Sequence, residues 1–113
     1  MNIEQVMYIL MVEDMDRMAD FYERTLGFGP RSRSPRWSEL TFGDFTLALH
    51  IGSSGKQTGL SFTVSDLDEA CKLVVQGGGT ILKAPADGDF PGLRLAVVAD
   101  PEGNPLDLGH HAG

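Results

Sequence analysis

The chain carries two apolar, strand-like runs, and each is followed by a stretch whose apolar positions recur every three or four residues. VMYILMV leads into VEDMDRMADFYERTLGFG at Val12, and GLSFTV leads into VSDLDEACKLVVQGGGTI at Val64. A change from strand-like to helical periodicity at the same point of two aligned segments predicts an internal duplication. Each half is therefore expected to begin with a strand that continues into a helix.

Capping residues mark the boundaries of both predicted helices. Asp14 and Asp66 precede the helical stretches, and Glu69 follows Asp66 at the spacing of a capping box. Glycines follow both stretches, and glycine readily takes the left-handed conformation that ends a helix. The sequence predicts two helices that begin at an aspartate and end at a glycine.

Strands are predicted before and after each helix. The first strands are expected at 5–12 and 59–64, and the later ones at RWSELTF, FTLALHI, TILKAP, LRLAVVA and PLDLGH. Gly43 and Asp44 between two of these runs predict a two-residue hairpin turn. The Gly-, Pro- and Asp-rich segment 84–92 predicts a loop.

The order β-α-β-β-β, present twice, predicts one α+β domain with two helices packed on a sheet. Module one is expected at 1–52, a linker at 53–58 and module two at 59–113. A chain of 113 residues can bury one sizeable core and not two independent ones.

Composition narrows the possible partners. The net charge of −7 disfavours nucleic acid and anionic membranes, and no stretch has the ~20 apolar residues of a membrane span. The N-terminal segment contains an acid and lacks the cationic region of a signal peptide. Cys71 is the single cysteine and falls in a predicted helix, so we expect a small buried thiol and a cytoplasmic protein.

Three segments resemble the vicinal oxygen chelate superfamily, which includes glyoxalase I, bleomycin-resistance-like proteins and extradiol dioxygenases. VEDMDRMADFYERTLGF and VSDLDEACKLVVQGGG resemble its two helices with the preceding strand ends, and DPEGNPLDL resembles its turn into the last strand. The resemblance implies a cupped, mostly antiparallel eight-stranded sheet with the helices on its outer face. It also implies a homodimer with sites between modules.

Enzymes of this superfamily hold a divalent metal through the first and last strands of each module. Carried over, the resemblance places these positions at Met7, Ala48, Gly59 and Asp107. Only Asp107 bears a hard ligand, because a thioether is soft and alanine and glycine have no ligand atom. One carboxylate does not hold zinc or magnesium by itself, so no cofactor is expected.

Strand parity predicts which side chains share the cup with Asp107. The hairpin turn would pair Glu39 with Ala48 and Trp37 with His50. The expected lining is Met7, Ile9, Met11, Trp37, Glu39, Thr41, Thr46, Ala48, His50, Ser61, Thr63 and Asp107. An apolar wall with a few polar groups is typical of sites for organic molecules.

Two classes of function remain open. One is a metal-independent binder that sequesters a small aromatic or cationic molecule. The other is an enzyme: a lyase, isomerase or dioxygenase with a divalent metal at a rearranged site of Glu39, His50 and Asp107, or a metal-free catalyst with Glu39 and His50 as acid and base. Trp37 and the methionines could equally be core or dimer-interface residues, and His50 a rim residue.

Two further segments carry groups with chemical potential. His110 and His111 could add nitrogen ligands, but they are expected to form a frayed tail. The segment RSRSPR at 31–36 is expected to be a solvated loop, from which Arg31, Arg33 or Arg36 could contact an anionic ligand.

Overall fold

The computed structural model describes residues 1–112, which divide into two compact units, one from Met1 to Ser54 and one from Gly55 onward. The first unit contains β1 (Met7–Val12), α1 (Met15–Asp20), a π-helical turn (Phe21–Thr25), β2 (Gly29–Arg33), β3 (Trp37–Phe42) and β4 (Phe45–Ile51). The second contains β5 (Ser61–Thr63), α2 (Leu67–Gln76), β6 (Thr80–Asp87), β7 (Leu93–Ala99) and β8 (Pro105–His111). Both units therefore follow the predicted order β-α-β-β-β.

Each unit is built on its own four-stranded mixed sheet. The first has the order β1-β4-β3-β2 and the second the order β5-β8-β7-β6. In both, the strand before the helix lies parallel to the last strand, and the other pairs are antiparallel. The predicted fold class is confirmed, and the eight strands hydrogen-bond as two sheets of four instead of one continuous sheet.

The helices begin where the sequence predicts. The Asp14 carboxylate accepts a hydrogen bond from the Arg17 amide at 3.2 Å, and the Asp66 carboxylate accepts one from the Glu69 amide at 3.0 Å. Gly27 and Gly78 follow the helical segments with φ of +84° and +101°. Side-chain acceptors at the start and left-handed glycines after the end thus delimit both helices.

Each helix covers one face of its own sheet. The first core consists of apolar side chains from α1, the π-helical turn and the helix-facing positions of the strands: Leu10, Val12, Met15, Met18, Ala19, Phe21, Tyr22, Phe28, Leu40, Leu47 and Leu49. The second consists of Leu60, Leu67, Cys71, Val74, Ala96, Val98, Ala99, Leu106 and Leu108. The opposite face of each sheet is left without a helix from its own unit.

Three local predictions were wrong. Part of the expected loop 31–36 belongs to β2, an edge strand whose polar composition conceals it. The expected loop 84–92 is shorter, because β6 continues through Asp87. His110 and His111 are not a frayed tail: both lie in β8, and the His110 Nδ1 atom is 2.9 Å from the Val64 carbonyl oxygen.

Among residues 1–112, none of the helices has the length and apolar character needed to cross a bilayer.

Candidate ligand-binding face

The helix-free face of the first sheet presents most of the predicted lining. The register confirms the hairpin prediction: Glu39 lies opposite Ala48 and Trp37 opposite His50. β1 extends the same rows, since Ile9 pairs with Ala48. We call this surface the open face; it comprises Met7, Ile9, Met11, Trp37, Glu39, Thr41, Thr46, Ala48 and His50.

Trp37 is the largest side chain of the open face, and it is held on two sides. Its indole N–H donates a hydrogen bond to Glu39 Oε2 at 2.9 Å. The ring of His50 lies edge-on to it, with centroids 5.7 Å apart and an angle of 76° between the planes. The indole is half-buried, so one part of the ring is supported and another remains accessible. These two contacts restrain the orientation of the indole.

Glu39 is engaged by Trp37 and by a cation. The Nε atom of Arg31 lies 3.7 Å from Glu39 Oε1, and the Glu39 side chain is largely covered. Within residues 1–112, Glu39 and His50 make no hydrogen bond to each other. The hydrogen bond of the Glu39 carboxylate is therefore made to the indole and not to the imidazole.

Arg31 reaches this position through a β-bulge. Pro30 pairs with Leu40 and Ser32 pairs with Glu39, so Arg31 is an extra residue without a partner on β3. A bulge redirects the side chain at the irregular position. The signal in the sequence was Pro30, because proline within a sheet is confined to edge strands, strand starts and bulges.

Arg33, by contrast, is bound to the helical side of the unit. Its guanidinium contacts Glu23 at 2.7 Å, Asp20 at 3.2 Å and Asp16 at 3.6 Å. The hydrogen bond to Glu23 is the main cause that raises the pKa of Arg33. Arg33 thereby ties β2 to the helical segment, and its guanidinium is committed to these carboxylates.

A cleft of about 560 Å³ opens at one end of the open face. Its polar lining consists of Glu4, Gln5, Arg31, Thr41, Asp44 and Thr46. The Gln5 amide donates a hydrogen bond to Thr46 Oγ1 at 3.4 Å. Sequence analysis predicted a strand from residue 5 and no cavity at this point; β1 begins only at Met7, so Gln5 and Val6 precede the strand and line the cleft.

The remaining predicted residues lie in the second unit. Asp107 pairs with Ser61 on one side and Val97 on the other, and Thr63 pairs with Gly109. The Asp107 side chain is exposed, and its carboxylate has no hydrogen bond or ion pair with another residue of the described chain. It is an available negative charge on the helix-free face of the second sheet.

The residues at the superfamily's metal-binding positions do not fit a divalent ion. Ala48 is fully buried between Ile9 and Glu39, and Gly59 offers only backbone. Met7 supplies a thioether, which suits soft ions such as Cu(I). Within either unit, as far as residue 112, no group of three His, Cys, Asp or Glu side chains is placed to hold a metal.

Comparison with known proteins agrees with the resemblance seen in the sequence. The pattern of the Glyoxalase/Bleomycin resistance protein/Dioxygenase superfamily matches residues 2–108. An uncharacterized protein of Mycolicibacterium smegmatis is 36% identical over 107 residues, which cover 91% of this chain and 90% of that protein.

Solved structures show the same fold. A superfamily member from Sphaerobacter thermophilus is 26% identical, with a TM-score of 0.81 over 97% of this chain and 98% of that one. TioX from Micromonospora sp. ML1 is also 26% identical, with a TM-score of 0.77 over 96% of this chain and 99% of that one.

Proposed function

The chain belongs to the glyoxalase/bleomycin resistance protein/dioxygenase superfamily, and we propose that this member is a metal-independent binder of a small aromatic or cationic organic molecule. Its role would be to sequester that molecule, as in resistance proteins. The observation that carries the proposal is the half-buried indole of Trp37, fixed by Glu39 and flanked by His50.

A fixed indole suits a planar ligand for two reasons. A flat aromatic ring provides a large contact area, and little conformational entropy is lost when its torsions are already restrained. The face of an indole also attracts cations, by about 0.5–1 kcal/mol at exposed sites and more where water is excluded. The exposed Ile9 side chain, in the row of Glu39, adds apolar surface to the same face.

The proposal includes no metal ion, because the side chains at the expected positions lack suitable donor atoms. At three of the four positions that bind the metal in enzymes of the superfamily, this chain has side chains without a hard ligand atom: Met7 has a thioether, Ala48 a methyl group and Gly59 only a hydrogen. A rearranged site would need Glu39, and that carboxylate already accepts from Trp37 and faces Arg31. A ligand contact through Asp107 requires no metal, since a carboxylate binds cations directly.

Metal-free acid–base catalysis is the weaker proposal. It requires Glu39 to orient His50 or to exchange a proton with substrate. The hydrogen bond to the indole uses one oxygen of Glu39, and Arg31 lies beside the other. If the chain were such an enzyme, His50→Ala would lower turnover by about 10²-fold or more, whereas a binder would lose only a modest part of its affinity.

We further propose that the protein is a cytoplasmic homodimer. The edge strand β6 exposes Ile81 and Leu82, and Leu95 on β7 is exposed as well. Exposed edges and apolar side chains favour pairing with a second copy. Cys71 is buried and free, as suits a reducing compartment. Light scattering at micromolar concentration should give about twice the chain mass of 12.2 kDa; the monomer mass would contradict the dimer.

Fluorescence tests the binding function directly. Trp37 is the only tryptophan, so its emission reports on the open face alone. A screen of planar aromatic and cationic compounds should find some that quench or shift this emission saturably. As a control, the same titrations of Trp37→Phe should show no change when excited at the indole band. If no compound of either class gives a saturable change, the proposed function is wrong.

A further inference from the structure

The cleft at the end of the open face is lined by residues other than those around Trp37. It lies beside the hairpin turn at Gly43, between the segment before β1 and the ends of β3 and β4. Trp37 and His50 do not line it. At about 560 Å³ it falls within the range of small-molecule pockets.

Charges of both signs line this cleft. Glu4 and Asp44 bring carboxylates, and within residues 1–112 neither side chain has an ion pair or hydrogen bond. Arg31 brings a guanidinium whose one charged contact is Nε to Glu39 at 3.7 Å, beyond hydrogen-bonding distance. The terminal nitrogens of Arg31 are therefore available, as are both carboxylates.

Uncharged groups complete the lining. Thr41 lines the cleft beside Thr46, whose hydroxyl oxygen accepts a hydrogen bond from the Gln5 amide. Val6 adds one apolar side chain. The β-bulge holds Arg31 at this end of the sheet, and a two-residue turn with Gly43 at φ of +57° holds Asp44 there.

This mixture of charges selects the ligand. A purely anionic group would gain from Arg31 but would be repelled by Glu4 and Asp44. A purely cationic group would be attracted by Glu4 and Asp44 but repelled by Arg31. A group with an ammonium next to a carboxylate, such as the free end of an α-amino acid, satisfies both.

We infer that the cleft is a subsite for such a zwitterionic group, carried by the same ligand whose planar part lies on Trp37. This inference rests on the proposed function. Thr41 and Trp37 are four residues apart on β3, which corresponds to roughly 13 Å along the strand. The ligand would therefore be an aromatic ring system joined to an amino-acid-like end over about that length.

Three probes with the same ring isolate the charge requirement: L-phenylalanine, phenethylamine and 3-phenylpropionate. They are zwitterion, cation and anion, and each is too short to reach Trp37 from the cleft. In spectra of the ¹⁵N-labelled protein, L-phenylalanine should shift the amides of 41–46 saturably and leave the Trp37 indole signal in place. It should bind about fivefold more tightly than either other probe, as expected for one additional exposed ion pair.

Two variants assign the charges. Arg31→Gln should lower the affinity for L-phenylalanine about fivefold, and should leave the affinity for phenethylamine unchanged or raise it. Asp44→Asn should lower the affinity for L-phenylalanine by a similar factor, and should leave the affinity for 3-phenylpropionate unchanged or raise it. The exposed Arg36, which does not line the cleft, provides the matched control Arg36→Gln, expected to change none of the three affinities.

The outcomes separate this inference from the proposed function. Equal affinities for the three probes, or no saturable shifts at 41–46 up to the solubility limit of L-phenylalanine, would overturn the subsite. The Trp37 emission screen could still succeed in that case, and the binding function would stand without the subsite. Saturable shifts at 41–46 whose dissociation constant for L-phenylalanine rises about fivefold in Arg31→Gln but is unchanged in Arg36→Gln would support it.

Discussion

The two modules share one architecture but use its helix-free face differently. In the first sheet the central row runs Ile9, Ala48, Glu39; in the second the corresponding row runs Ser61, Asp107, Val97. Each row thus carries one carboxylate. In the first sheet it is Glu39 on β3, and in the second it is Asp107 on β8, the strand that corresponds to β4.

The neighbouring row shows a second difference. The first sheet places Met11, His50 and Trp37 there, and the second places Thr63, Gly109 and Leu95. Bulky aromatic groups in one module correspond to small or aliphatic groups in the other. The first sheet therefore carries bulky side chains in this row, whereas the second sheet carries small or aliphatic ones.

The environments of the two carboxylates follow from these neighbours. Glu39 accepts from an indole and lies near a guanidinium, so its charge is used inside the protein. Asp107 has Ser61 and Val97 beside it, and its exposed carboxylate has no partner among residues 1–112. Two copies of one module have thus diverged into a structural carboxylate and an available one.

The largest expected effect is that of removing the Trp37 indole. Trp37→Ala should weaken the binding of a compound found in the emission screen by about 2 kcal/mol or more, because the substitution removes an aromatic contact that the protein holds in place. Leu95→Ala at the corresponding position of the second sheet should change the affinity little. Calorimetry measures both variants without relying on indole emission. Equal losses in the two variants would mean that the modules contribute alike.

Asp107→Asn sharpens the contrast between the carboxylates. It should weaken cationic compounds by roughly 1.5–3 kcal/mol if the carboxylate makes a charge-assisted hydrogen bond, and should hardly affect neutral ones. Calorimetric titration of a cationic compound and a neutral analogue measures the difference. A uniform loss for both would show that the side chain acts through the fold and not through its charge.

Arg33 in the first module and Arg94 in the second make ion pairs, and replacing these arginines should change the free energy of unfolding by a smaller amount. Arg33→Gln removes contacts to three carboxylates, whereas Arg94→Gln removes one contact, to Asp68 at 3.5 Å. Both guanidinium groups are more than one-third exposed, so we expect about 1 kcal/mol of unfolding free energy for Arg33 and less for Arg94. Urea denaturation at low and high salt measures this. The Arg33 loss should shrink at high salt, and a loss independent of salt would point to packing of the side-chain stem.

The smallest effect concerns pH. Hydrogen bonds from the Ser54 hydroxyl and amide hold the pKa of the Glu13 carboxyl below its ordinary value of 4.5. A lowered pKa in the folded state stabilises the fold above pH 4.5, and the contribution is lost as pH falls through the folded pKa. The stability difference between the native protein and Glu13→Gln should therefore narrow below about pH 4.5 in urea titrations. A difference that stays constant with pH would contradict this.

Much of the fold could be predicted because its signals are local. Asp14 and Asp66 act as helix caps wherever the helices pack, and the turn at Gly43 sets the β3–β4 register by its length alone. Side-chain parity then follows from the strand period, so the sequence placed Trp37, Glu39 and His50 on one face. The same reasoning failed for β2, where GPRSR has no apolar alternation and pairing with β3 supplies the strand.

The sequence by itself determined the duplication, the helix starts and the hairpin register. These depend on residue identity and short spacing. Tertiary structure alone decided that Glu39 bonds the indole of Trp37, that the bulge directs Arg31 towards Glu39, and that Arg33 joins three acids on the helical segment. The reason is physical: hydrogen bonds and ion pairs depend on distances of a few ångströms between side chains that the chain brings together only when the sheet forms.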